Sequence, residues 1–125
     1  MIENPIVLYV EDDANIREEM IEILELDFEY LHVATNGEEG LQMYKDAHPD
    51  IIISDIQMPI MDGISMSKEI LSINKNAKII LTTAFNEQGY LEEAKKLGVE
   101  GYVNKPVNIN ELFEKIEAAI ASLKE

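Results

Sequence analysis

Short apolar runs alternate with longer amphipathic segments along the whole of this chain, and that alternation leaves few folds open. Strands are expected near 6–10, 30–34, 51–54, 78–82 and 100–103, and helices near 14–26, 37–47, 63–73, 87–97 and 109–123. The order is a βα unit repeated five times. The runs Ile6-Val7-Leu8-Tyr9-Val10, Ile51-Ile52-Ile53 and Ile79-Ile80-Leu81 are apolar without alternation, as strands covered on both faces require. Ile16, Met20, Ile23 and Leu24 share one face of the first helix. Ile109, Leu112, Phe113, Ile116 and Ile120 do the same in the last, with Glu111, Glu114, Lys115 and Glu117 opposite. Asn36 with Glu39, and Asn108 with Glu111, read as N-caps each followed by its acid, and Gly98 stops a helix after Leu97. The expected architecture is a central parallel sheet with helices on both sides.

At 125 residues the chain is expected to form one domain, residues 1–125. Asp and Glu number 25 against 10 Lys and Arg, a formal charge of −15, which repels phosphate backbones and anionic lipid and argues against direct nucleic-acid binding. Most of this acidity is spread along helices and serves solubility. The absence of cysteine excludes disulfides, thiol catalysis and thiolate metal sites. No apolar stretch approaches membrane-spanning length and the N-terminus lacks a signal-peptide pattern, so no membrane association and a cytoplasmic setting are expected.

In an open α/β sheet the functional crevice lies beyond the carboxyl ends of the strands. Glu11, Asp12, Asp55, Thr83 and Lys105 all fall there. Glu11 and Asp12 alone would read as helix-start acids favoured by the macrodipole. Asp55 closes Ile51-Ile52-Ile53-Ser54-Asp55, and three carboxylates on neighbouring strand ends repel one another unless a cation joins them. Hard oxygen ligands suit Mg²⁺, with Mn²⁺ as a substitute. Thr83 is expected to present its hydroxyl to the crevice, while Thr82 reads as an ordinary β-branched strand residue. Ala84 leaves space and a backbone N–H for an anion to approach. Lys105 precedes Pro106 in a strand-end loop, where a directed ammonium is expected and a cis peptide bond is possible. His32 and His48 have no helper residues beside them and receive no role. A carboxylate, a divalent cation, a hydroxyl and a lysine around one point make a phosphoryl-transfer site: Asp55 attacks, the cation and Lys105 neutralise the equatorial oxygens, and Thr83 binds one of them.

The segments Val10-Glu11-Asp12, Asp55-Ile56-Gln57-Met58-Pro59-Ile60-Met61-Asp62-Gly63, Thr83-Ala84 and Gly101-Tyr102-Val103-Asn104-Lys105-Pro106 resemble, essentially end to end, those of bacterial response-regulator receiver domains, the CheY-like family. The resemblance implies a three-layer (βα)5 flavodoxin-like fold with strand order 2-1-3-4-5. It implies that Asp55 is phosphorylated by a histidine kinase or histidine phosphotransfer protein. It also implies Mg²⁺ held by Asp12, Asp55 and the Gln57 carbonyl, with Glu11 acting through a bound water. Thr83 and Tyr102 would form a switch pair, the threonine moving toward the phosphoryl group as the ring turns inward. On residue type alone, Tyr102 also reads as a strand aromatic packed on the core. Glu11 replaces the family's commoner aspartate, and Val107 stands where many members carry phenylalanine. Gly101 replaces the acidic residue found before the switch aromatic in receivers that dimerise to drive winged-helix domains. Gln57 and Phe85 occupy the variable positions that tune how water reaches the phosphoryl group.

Three functions compete on these residues. The leading expectation is a signalling switch that changes its protein-binding face around 87–97, 100–103 and 109–123 and acts on a downstream target protein or a fused effector domain. Self-catalysed phosphoryl acceptance and slow autodephosphorylation are its only chemistry. An aspartate-nucleophile phosphatase of the haloacid dehalogenase kind would carry a second aspartate where Gln57 stands. A degenerate, constitutive binding receiver fits poorly with Asp12, Asp55, Thr83 and Lys105 all present.

Overall fold

The computed structural model describes residues 4–99 and 101–123. Its elements follow the expected alternation: β1 (Ile6–Val10), α1 (Ala14–Glu25), β2 (Tyr30–Ala34), α2 (Gly37–Ala47), β3 (Ile51–Asp55), α3 (Gly63–Ile73), β4 (Lys78–Thr83), a 3-10 turn (Phe85–Glu87), α4 (Gln88–Leu97), β5 (Gly101–Asn104) and α5 (Ile109–Leu123). All strand pairs are parallel, in the order β2-β1-β3-β4-β5. This is the doubly wound arrangement expected from the resemblance. Chain order reverses at β1 and β3, so the crevice opens beyond Val10 and Asp55.

Strand alternation splits the core into two layers. Leu8, Val10, Ile52 and Leu81 face α2, α3 and α4, where they meet Tyr44, Met66, Ile70 and Ala94. Val7, Tyr9, Ile51, Ile53, Ile80 and Val103 face α1 and α5, against Met20, Leu24, Leu112 and Ile116. Both faces of β3 are therefore covered, which is why its sequence shows no polar alternation. Asp55 is the one charged residue in that strand, carried at its carboxyl end.

Several boundaries shift from expectation. β3 extends to Asp55 and β4 to Thr83, because Asp55 pairs with Thr82 and Thr83 with Asn104 across the sheet. β5 begins at Gly101 and runs to Asn104, and Glu100, the expected first strand residue, lies outside the described residues. α1 ends at Glu25 with Leu26 as its C-cap. α4 begins at Gln88, not at 87, since the preceding residues form the 3-10 turn. Ile16 departs from its expected buried face and is 45% exposed, at the lip of a groove between α1 and α5.

The caps form with one change of partner. Asn36 Oδ1 accepts from the Glu39 amide at 2.9 Å. Glu39 Oε1 reaches back past Asn36 to the Thr35 amide and hydroxyl, both at 2.9 Å. Gly98 ends α4 at φ 100°, donating to Ala94 and Lys95, a conformation that a Cβ would strain.

Gly63 ties the loop after β3 to the strand end. Its amide donates to Ile56 O at 2.7 Å, and a Cβ there would stand 2.1 Å from the Asp55 carbonyl oxygen. Backbone on backbone leaves no flexible tip to yield. Gly63→Ala is expected to lower stability by about 1–3 kcal/mol, read as a shift in the urea midpoint. A wild-type midpoint would show that the loop can retreat without loss.

Candidate functional site

The carboxyl ends of β1, β3 and β5 bring the expected polar residues to one place. Asp55 is 6% exposed, and its Oδ1 accepts from the Ile56 amide at 2.8 Å. The same oxygen receives Lys105 Nζ at 2.6 Å. Lys105 is brought there by the turn after β5, where its amide donates to Thr83 O at 2.8 Å and its bond to Pro106 is cis. Burial by itself would lower the ammonium's pKa, but the hydrogen bond and charge of Asp55 outweigh it and hold the group above the ordinary lysine value.

Glu11, Asp12 and Asp55 each offer a carboxylate oxygen within 4.8 Å of the others. Asp13, adjacent in sequence, does something else: it is the N-cap of α1, its Oδ1 accepting from the amides of Asn15 and Ile16 at 2.9 and 3.0 Å. The acidic run thus divides into a cap and a cluster. Asp12 is exposed, whereas Glu11 is 3% exposed, its Oε2 accepting the Asp13 amide at 3.1 Å. Arg17 Nη1 donates to the carbonyls of Glu11 and Asp12 at 3.0 and 3.2 Å, which fixes this loop to α1 without neutralising the carboxylates directly. Burial, with a further contribution from the Asp55 charge, pushes the Glu11 carboxyl up to about 7. An all-oxygen, acid-rich set of this kind fits a hard divalent cation. Gln57 lies two residues beyond Asp55 in the loop closed by Gly63, and it is exposed.

The β4 side of the crevice differs from expectation. Thr83 does not present a free hydroxyl: it is 1% exposed and donates to its neighbour's carbonyl, Ala84 O, at 3.3 Å. Nor is the Ala84 amide open, because it donates to Glu87 Oε1 at 2.6 Å. Glu87 is buried, and sequence reasoning assigned it only to the start of a helix. Its signal was present as an acid three residues after a potential cap, the spacing of a capping box, with alanine supplying no side chain to complete the usual form. Tyr102 is half-buried against the α2–α3–α4 layer, its hydroxyl donating to Val99 O, with Lys95 Nζ 6.0 Å from the ring centroid. The side chain of Phe85 lies outside the described residues.

Beside the cluster, α1 and α5 leave a groove of about 350 Å³ lined by Tyr9, Glu11, Ile16, Met20, Lys105 and Val107. Burial, reinforced by the Glu11 and Asp55 charges, raises the Tyr9 phenol well above its ordinary value. Among the described residues, no helix is long and apolar enough to cross a membrane.

Residues 7–117 match the family described as the response regulator receiver domain. The chain is 41% identical over 100 residues to the chemotaxis protein CheY of Halobacterium salinarum, covering 80% of this chain and 83% of that protein. It is 39% identical over 109 residues to CheY of Thermotoga maritima, covering 86% and 91% respectively. The fold superposes with a TM-score of 0.90 on a response regulator receiver domain protein from Clostridium thermocellum, at 27% identity and over 96% of this chain and 97% of that one.

The cluster makes the metal-free protein sensitive to pH. Glu11 binds a proton in the folded chain below about 7, against 4.5 unfolded, so its stabilising contribution is full below the lower value and disappears as pH rises through the upper one. In EDTA the melting temperature should therefore rise as pH falls from about 8 to about 6. Asp12→Ala, which removes one of three like charges, should raise the metal-free melting temperature at neutral pH by about 2–4 °C. Calorimetry checks both, and an Asp12→Ala protein less stable than wild type would show that Asp12 is a structural group.

Proposed function

Because the chain belongs to the response regulator receiver domain family, whose members are signalling switches, we propose that it is a two-component switch in which Asp55 accepts a phosphoryl group. The observation that carries this reading is the contact of Lys105 Nζ with Asp55 Oδ1 at 2.6 Å, at the strand end where Glu11 and Asp12 gather. Oδ1 is engaged by Lys105 and by the Ile56 amide, so Oδ2 is the attacking atom. The donor is a phosphohistidine on a histidine kinase or histidine phosphotransfer protein. Its P–N bond breaks as the P–O bond to Asp55 forms, and the imidazole leaves with the bonding electrons and takes a proton from solvent.

Each residue has a place in that transfer. Lys105 follows the charge from the carboxylate to the phosphoryl oxygens. When bound, a Mg²⁺ ion held by Asp12, Asp55 and the Gln57 carbonyl supplies neutralisation of the developing charge, and Mn²⁺ would serve in its place. Glu11 belongs to the same set through a water. The Thr83 hydroxyl, which donates to Ala84 O in the unmodified chain, turns to donate to a phosphoryl oxygen. Tyr102, on the neighbouring strand, follows it inward, which alters the surface of α4, β5 and α5. Residues 1–125 act as a single cytoplasmic receiver unit read by a downstream target protein or a fused effector domain, without catalysing turnover of a separate substrate.

Acetyl phosphate with Mg²⁺ is expected to add one acid-stable, hydroxylamine-labile phosphoryl group, seen by intact mass. The addition should vanish in Asp55→Asn and in EDTA. Modification of Asp55→Asn to the wild-type extent would place the acceptor elsewhere. Thr83→Ala should still be phosphorylated but lose the spectral response at Tyr102 by NMR when beryllofluoride is added, since the hydroxyl bonds the modified state and contributes little to the unmodified one. A wild-type response from that variant would remove Thr83 from the switch.

A further inference from the structure

Ala84 and Glu87 close two reciprocal hydrogen bonds around the turn that joins β4 to α4. The Glu87 amide donates to Ala84 O at 3.0 Å, and the Ala84 amide donates to Glu87 Oε1 at 2.6 Å. Glu87 is 3% exposed, although glutamate is almost never buried without a partner. Here the partner is the backbone N–H, in a short charge-assisted bond. Glu87 also lies within electrostatic reach of Lys105, whose ammonium responds to its charge. A negative oxygen therefore sits beside β4, on the amide next to Thr83, before any phosphoryl group has arrived.

One N–H cannot serve two anions, and two anions there would repel. We propose that Glu87 is a positioning residue that occupies the phosphoryl group's amide anchor in the unmodified chain, so that modification of Asp55 displaces the Glu87 carboxylate from Ala84. The inference rests on the reading of Asp55 as acceptor. A buried carboxylate stripped of its donor moves to solvent. The 3-10 turn then loses one of its two clasps. Glu87 is also the residue preceding α4, and its side chain makes no capping bond to that helix, so the carboxylate's exit frees the helix entry to move. Competition for a single N–H would thus couple the chemistry at β3 to the α4 surface.

Two variants separate the contact from its charge. Glu87→Asp keeps the charge and shortens the arm by one methylene, while Glu87→Gln keeps the length and removes the charge. The probe is beryllofluoride with Mg²⁺, titrated calorimetrically into the full chain, with thermal melts to confirm folding. Loss of the competitor should tighten binding about threefold to tenfold in Glu87→Asp, and at least as much in Glu87→Gln. In wild-type protein the Glu87 carboxyl carbon should move toward its solvent-exposed NMR shift on binding. Tightening confined to Glu87→Gln would assign the effect to the charge alone and overturn the proposal. So would unchanged or weaker binding in both variants, or an unmoved carboxyl carbon in wild type. Failure of wild type to bind the probe, or undiminished binding by Asp55→Asn, would instead remove the acceptor reading and the inference with it.

Discussion

Lys105 reaches Asp55 at 2.6 Å across the crevice, and the arrangement of the whole strand-end surface depends on that contact. Unit charges at such a separation attract by roughly 6 kcal/mol at an effective dielectric near 20, before desolvation takes much of it back. Together with the Ile56 amide on the same oxygen, the attraction holds the Asp55 carboxylate against the like charges of Glu11 and Asp12. It also draws the β5–α5 loop over the crevice, where the Lys105 amide meets Thr83 O. One ammonium cannot balance three carboxylates. The remaining negative charge is what an incoming divalent cation would answer.

The β4–α4 turn is the counterpart of that acidic surface. In the unmodified chain its donors are satisfied internally: the Thr83 hydroxyl by Ala84 O, and the Ala84 amide by Glu87. Such a turn is satisfied as it stands, and under the proposed function an anion on Asp55 would offer the same donors a second set of partners. Two arrangements, each internally satisfied, are what a discrete switch requires, since packed interiors change by exchanging partners more readily than by stretching. Tyr102, on the strand next to β4, has its hydroxyl on Val99, the residue that leads from α4 into β5. On the proposed reading, Thr83, Glu87 and Tyr102 would connect phosphoryl chemistry at β3 to the surface formed by α4, β5 and α5.

The fold was largely legible in the amino-acid order. Doubly covered strands are written as unbroken apolar runs, and helices show one-face spacing, so the five βα units and most of their ends could be read directly. Asp55, Asp12, Glu11 and Lys105 were legible as a group because strand ends of a parallel sheet converge and like charges gathered there demand a cation. The errors were local. Ile16 kept the helical period yet stayed exposed, because burial depends on how closely α1 and α5 approach, which periodicity does not encode.

Local order alone therefore determined which residues are strand, helix and strand end, and hence which residues stand at the crevice. Backbone periodicity and chain connectivity dictate those properties. Which partner each polar group takes was decided only in three dimensions. Asp13 became a cap while Asp12, its neighbour, joined the cluster; Glu39 passed over Asn36 for Thr35; and the Ala84 amide, open on paper, was claimed by Glu87. Hydrogen-bond choice is a competition among donors and acceptors at distances set by the folded backbone, and those distances do not exist until strands and helices have packed.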